Sequence, residues 1–214
     1  GRRGALVKRL SREGLAPPAV TLLALALALL AFVLYLQGRP PGEGSAEAGF
    51  ARDMSVHHAQ AVEMAGIVRD RTRDPAIRTL ATDITLTQQA QIGQMHGWLA
   101  AWGLPLTGTG PPMAWMGHAG RMPGMATPEQ INRLRDAPPE EADRLFLRLM
   151  IEHHRGAIPM AEAALERTDR PEVERLAGAI LRSQRGEIRL MQQMLRERGG
   201  EAPARPHAGR HRGG

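Results

Sequence analysis

The 214-residue chain has no cysteine. Disulfides, thiolate metal centres and cysteine nucleophiles are therefore excluded. Aromatic residues make up only 3% of it, and clusters of the strand-favouring Val, Ile, Tyr and Phe are nearly absent. Ala, Leu and Met, all good helix formers, dominate the apolar positions. An all-α protein is expected. Ser and Thr are scattered, and no phosphate-cradling loop or nucleophile–base–acid set is found, so no enzyme is expected. The net charge of +6 also lacks a basic face to belong to. Residues 1–14 hold five basic side chains against one acidic, residues 200–214 hold three against one, and residues 15–199 hold 20 of each sign. A nucleic-acid binder carries its basic patch on the fold itself, so no nucleic-acid partner is expected.

The one long apolar run is Ala19 to Leu36, broken only by Thr21. As a helix it would extend roughly 27 Å, close to the hydrocarbon thickness of a bilayer. Arg2, Arg3, Lys8, Arg9 and Arg12 precede it, whereas Arg39, Glu43 and Glu47 follow. This bias predicts a single-pass anchor with a cytoplasmic N-terminus (residues 1–18) and a domain on the periplasmic or extracellular side. A cleaved signal peptide is the competing reading. Ala46-Glu47-Ala48 has the small-x-small form of a cleavage site, although it lies about ten residues past the run. Both readings export the domain. Residues 37–48 read as a linker and 200–214 as a disordered basic tail.

Residues 50–103 align with 146–199 at a constant offset of 96, without a gap and with 19 identities in 54 positions. Such internal similarity marks a duplicated unit. Each copy reads as helix–turn–helix, with turns at Asp74-Pro75 and Arg170-Pro171 and stops near Gly103 and Gly199. The hairpins, 49–103 and 139–199, are expected to pack as a four-helix bundle spanning 49–199 with a pseudo-two-fold axis. The connector, 104–138, is rich in Gly, Pro and Met. It contains one expected short helix, with Thr127 as N-cap, Pro128 at the first position and Gln130 completing a capping box.

The duplication repeats Met-x-x-His-His. Met54, His57, His58, Ala61, Met64 and Ala65 fall on one helical face, as do Met150, His153, His154, Ala157, Met160 and Ala161. Adjacent histidines diverge by about 100° on a helix. One of each pair is therefore expected to face the bundle axis and the other a seam. Folding the hairpins about their prolines places Met95 and Met191 opposite the Met/His turns. Gln88 and Gln184 lie on the same faces, where a histidine nitrogen can satisfy them.

Imidazole with thioether, and no thiolate, suits copper in an exported compartment, with Cu(I) favoured and Cu(II) possible. Di-iron bundles use Glu-x-x-His, and Met54 and Met150 stand where that Glu would be. Met113, Met116, His118, Met122 and Met125 in the connector form a second candidate group, since helical periodicity does not account for methionine in a Gly/Pro-rich loop. The competing readings are a polar layer that fixes hairpin register and an apolar lid. Pro159 removes one backbone hydrogen bond inside the third long helix and is expected to kink it, making the two copies unequal. His207 and His211 in the tail are weaker candidates.

Phe50-x-x-x-Met54-x-x-His57-His58-x-x-Ala61-x-x-Met64-Ala65, its repeat at 146–161 and Met122-Pro-Gly-Met125 together resemble domain-of-unknown-function family 305, over about residues 45–199. The resemblance implies a ferritin-like four-helix bundle and, since some members are linked to extracytoplasmic copper binding and copper tolerance, a copper-binding role for Met54, His57, His58, Met64 and their counterparts. Members often carry an acidic residue before the first Met. Asp53 fits that pattern, and Leu149 departs from it. The expected function is buffering, storage or delivery of copper at the outer face of a membrane. A copper-receiving or respiratory membrane protein is the expected partner, and a homo-oligomer is possible. Two further readings remain open: a metal-free accessory subunit of a membrane complex, and a di-metal oxidase.

Overall fold

The computed structural model describes residues 17–201, with the side chains of 19–32 and 38–201. Residues 1–16 of the basic N-terminal segment and 202–214 of the expected disordered tail, with His207 and His211, lie outside the described residues. Two compact units divide at residue 40.

The first unit holds α1, Pro17–Gln37, on the apolar run. Its leucines are turned outward, Leu22 at 67% and Leu29 at 63% exposure. Among the described residues no helix is long and apolar enough to cross a membrane. The spanning segment expected over 19–36 is thus not shown.

The second unit is built from four long helices: α2 (Ala46–Arg69), α3 (Pro75–Ala101), α5 (Pro139–Arg167) and α6 (Pro171–Glu197). The short α4 (Pro128–Asp136) and a 3₁₀ turn at Ala114–Met116 lie in the connector. No strand occurs among the described residues. Local chemistry sets the ends. Ser45 caps α2 by accepting from the Ala48 amide, Asp74 caps α3 ahead of Pro75, and Thr127 with Gln130 forms the expected capping box of α4. Gly103 and Gly199 follow α3 and α6 at φ +70° and +68°, where a side chain would be strained. α5 continues through Pro159.

Helix α2 packs along α3 and α5 along α6, and the hairpins meet through α2 and α5. The two ends of that contact repeat each other. Thr72 Oγ1 donates to Asp143 Oδ2 at 2.9 Å, and Thr168 Oγ1 donates to Glu47 Oε1 at 2.9 Å. Both partners differ by the offset of 96, which gives the pseudo-two-fold relation and runs α2 antiparallel to α5. Burial holds the Asp143 carboxyl above the usual carboxylate range, opposed by the Thr72 hydrogen bond. A further pair diverges in chemistry: Arg198 is bonded to Asp74, whereas its counterpart position holds Trp102 under the Arg170 guanidinium, 5.9 Å from the ring centre. The Arg198 guanidinium holds the Asp74 carboxyl below its ordinary range.

The interior consists of two apolar clusters. One gathers Met64, Phe146, Met150, Met191 and Met194, and the other Phe50, Met54, Met95, Met113 and Met160.

Candidate metal centre

His57 and His153 meet where the hairpins cross, with ring centres 3.8 Å apart and planes 39° apart. His58 and His154 turn to the seams within their own hairpins. His58 Nε2 lies 2.7 Å from Gln91 Oε1, and His154 Nε2 lies 2.6 Å from Glu187 Oε2. The expected division between axis and seam therefore holds in both copies. All four rings are 0% exposed.

The partners fix the chemistry of each ring. A carbonyl or carboxylate oxygen only accepts, so the nitrogen facing it must donate. His57 Nε2 donates to the Pro123 carbonyl at 2.9 Å, His58 Nε2 to the Gln91 amide oxygen and His154 Nε2 to Glu187. In each of these rings the lone pair is left on Nδ1. These three Nδ1 atoms and both nitrogens of His153 are buried without a hydrogen-bond partner. Leaving a buried polar atom unpaired costs about 1–3 kcal/mol. Five in one layer are costly, and because a neutral His153 carries one N–H, a ligand can take the lone pairs of at most four of them.

Three of these rings, His57, His58 and His153, also stay neutral. Burial pulls the pKa of His57 from 6.5 to about 4 and that of His58 to about 3, and holds His153 well below its ordinary value. The hydrogen bonds to Pro123 and Gln91 oppose the shift, while the neighbouring imidazoles reinforce it. Neutral imidazole is the form that binds metal.

Thioethers flank this layer on both sides. Met54, Met64, Met95, Met150, Met160 and Met191 are all 0% exposed. Their grouping differs from one face per hairpin. Met54 and Met95 share a cluster with Met160 of the other hairpin, while Met150 and Met191 share one with Met64. The reason is length. Met54 and Met64 are ten residues apart on α2, about 15 Å, and the antiparallel α5 brings Met160 to the Met54 end. Met194 joins the second group unanticipated.

The connector group is divided. Met113 is buried, Met116 and Met122 pack against the first cluster, Met125 is half-buried, and His118 is exposed. His118 is thus not gathered with the other connector candidates. Asp53 fastens this segment, its Oδ2 accepting from the Met113 amide and from Trp115 Nε1, both at 2.8 Å. Gln60 bonds both backbone groups of Ala126. Its counterpart in the second copy is Gly156, where an added Cβ would fall on the Pro123 carbonyl. That glycine lets the Met122-Pro123-Gly124-Met125 turn close on the histidine layer.

Among the described residues no group of three His, Asp or Glu side chains is placed to hold a metal ion. Any centre here needs thioether donors beside imidazole. A di-metal oxidase would need carboxylates facing the histidines, and the three nearest the motifs in sequence are engaged elsewhere: Asp53 holds the connector, Glu63 pairs with Arg135 and Glu152 with Arg155. Gln88 and Gln184, expected to satisfy histidines, are buried with unpartnered side-chain atoms, Gln88 Oε1 and both polar atoms of Gln184. Gln91 and Glu187, one turn further along, take that role.

This layer of paired histidines and methionines coincides with a known family. The description Domain of unknown function (DUF305) matches residues 47–195. The chain belongs to that family. A putative secreted DUF305 protein from Streptomyces coelicolor is 50% identical, with a TM-score of 0.74 over 76% of this chain and 99% of that one. A DUF305 fragment from Deinococcus radiodurans is 41% identical, with a TM-score of 0.62 over 71% and 96%. CopM in its Cu(I)-bound form is 27% identical, with a TM-score of 0.56 over 71% and 96%, and it is also known in Cu(II)- and Ag-bound forms. An uncharacterized protein of Acanthamoeba polyphaga mimivirus is 40% identical over 47 residues, 22% of this chain and 31% of that protein.

Proposed function

We propose that this chain is an extracytoplasmic copper-binding protein that buffers, stores or delivers copper without catalysing a reaction. The observation that carries the reading is the set of buried imidazoles whose outer nitrogens are held by fixed acceptors while Nδ1 stays unpaired, beside buried thioethers. His57, His58, His153 and His154 with Met54, Met64, Met95, Met150, Met160 and Met191 are the donors, and Met113, Met116 and Met122 close one end. Imidazole and thioether suit Cu(I), with Cu(II) accepted through the nitrogens. Similarity to CopM, with its copper- and silver-bound forms, supports the choice of metal.

The apolar run 19–36 anchors the protein as a single-pass helix, with the basic segment in the cytoplasm and the bundle outside. The charge bias around the run supports this. The Streptomyces coelicolor relative, described as a putative secreted protein, agrees with export. A membrane protein that accepts copper is the partner.

Competition titration with a Cu(I)-specific chelator tests the assignment. The expected result is sub-micromolar binding that is lost when Met54, His57, Met150 and His153 are all replaced by leucine in a chain that keeps its helical circular dichroism. Sub-micromolar binding that survives the four replacements would remove the site, and no binding by the unaltered chain would remove the function.

A further inference from the structure

Positions 91 and 187 correspond under the duplication, and each holds the outer nitrogen of a motif histidine. Gln91 Oε1 faces His58 Nε2 at 2.7 Å, and Glu187 Oε2 faces His154 Nε2 at 2.6 Å. The donors around them are otherwise matched in pairs: Met54 with Met150, Met64 with Met160, Met95 with Met191 and His57 with His153. Among direct contacts to the seam histidines, the difference is an amide in one copy and a carboxylate in the other.

That difference acts through the ring. Both acceptors lock the same tautomer and leave the lone pair on Nδ1, which is buried and unpartnered in both histidines. A carboxylate accepting the Nε2 proton also raises the donor strength of Nδ1, as outer-shell carboxylates do for metal-binding histidines. It further brings an acidic group against a fully buried ring, where the low dielectric strengthens its attraction to a cation. The gain grows with the charge of the ion, so it is larger for a dication than for a monocation. The Glu187 side chain keeps 24% of its surface in solvent while that of His154 has none. The carboxylate thus remains an outer partner of the ring.

We infer that Glu187 is a positioning residue that tunes the His154 site of the second hairpin towards a divalent cation, Cu(II) by its nitrogen donors, while Gln91 leaves the His58 site to soft monovalent ions. The inference rests on the copper-binding reading above. It gives one bundle two seam sites of different valence preference.

The test uses the full chain in detergent, titrated separately with Cu(II) under electron paramagnetic resonance and with Ag(I) by calorimetry. Three forms are compared: unaltered, Glu187→Gln and Gln91→Glu. Glu187→Gln installs the acceptor that the first copy already uses, so the fold is kept. Its Cu(II) affinity is expected to fall about 10- to 100-fold, with an altered copper hyperfine pattern and Ag(I) affinity within about threefold. Gln91→Glu is expected to strengthen a second Cu(II) equivalent by a similar factor. Equal Cu(II) affinity and an identical spectrum in Glu187→Gln would overturn the inference and leave copper binding standing. Parallel losses of Cu(II) and Ag(I) would also overturn it, since the residue would then only support the fold. Binding of neither ion by the unaltered chain would instead remove the copper reading itself.

Discussion

Lowering the pH of the metal-free bundle from 7 to 5 is expected to remove about 6 kcal/mol of its stability. In the unfolded chain His57, His58 and His153 titrate near 6.5. In the folded bundle burial depresses them, His57 to about 4, His58 to about 3 and His153 well below its ordinary value. Below pH 6.5 the unfolded chain therefore binds protons that the folded one refuses, and stability falls as the pH falls. Each group contributes about 1.4 kcal/mol per pH unit across that window, so 1.5 units and three histidines give the figure above. The loss continues until the folded pKa is reached, near pH 4 for His57. Asp143 works in the opposite direction, because burial raises its pKa and acid relieves a cost in the folded state. One carboxyl offsets only part of three imidazoles. A domain of this size holds about 5–15 kcal/mol in total, so the apo-protein should unfold between pH 4 and 6. Urea unfolding at a series of pH values measures this. Equal unfolding free energies at pH 7 and 5 would show that the layer is hydrated or open.

Silver provides the second large effect. Ag(I) is soft and monovalent and avoids the redox chemistry of copper. At a free concentration 1,000 times its dissociation constant, a ligand that binds only the folded state stabilises it by about 4 kcal/mol. For a bundle of this size that raises the melting temperature by roughly 8–16 °C. Replacing Met54 and Met150 by leucine conserves volume and should cost the apo-bundle less than about 1.5 kcal/mol each. It should nevertheless remove most of the silver-induced shift, because the thioether is the donor a soft ion prefers. Thermal unfolding followed by circular dichroism compares the two forms. A shift that persists in the double variant would place the silver on the remaining methionines or on the histidines alone.

The duplication made much of the fold legible before any coordinates. An offset of 96 without a gap fixes two equal hairpins, and prolines at 75 and 171 fix their turns. The capping box at Thr127 is legible for a different reason: it is local chemistry within four residues. The division of each His-His pair between axis and seam followed from the 100° step of a helix. The grouping of Met64 with Met150 did not, because it depends on how α5 lies against α2, and a single helical wheel carries no information about the facing helix. Identity across the repeat points to Gln88 and Gln184. The informative position was one where the repeat differs, Gln91 against Glu187. Loop geometry was the least legible. Nothing periodic announces that Asp53 fastens Met113 and Trp115, or that Gly156 is small so that Pro123 can reach His57. Gly156 facing the slot where the first copy holds Gln60 was the available signal. The expected membrane span is a different case, since the charge bias behind the expectation lies partly outside the described residues.

X-ray absorption at the copper edge of the Cu(I)-loaded chain tests the central claim most directly, because it reports the atoms bound to the metal. Nitrogen and sulfur scatterers are predicted in the same first shell, with the sulfur contribution reduced when Met54 and Met150 are replaced by leucine. A shell of nitrogen and oxygen alone, unchanged in that variant, would contradict a His/Met copper centre in this bundle.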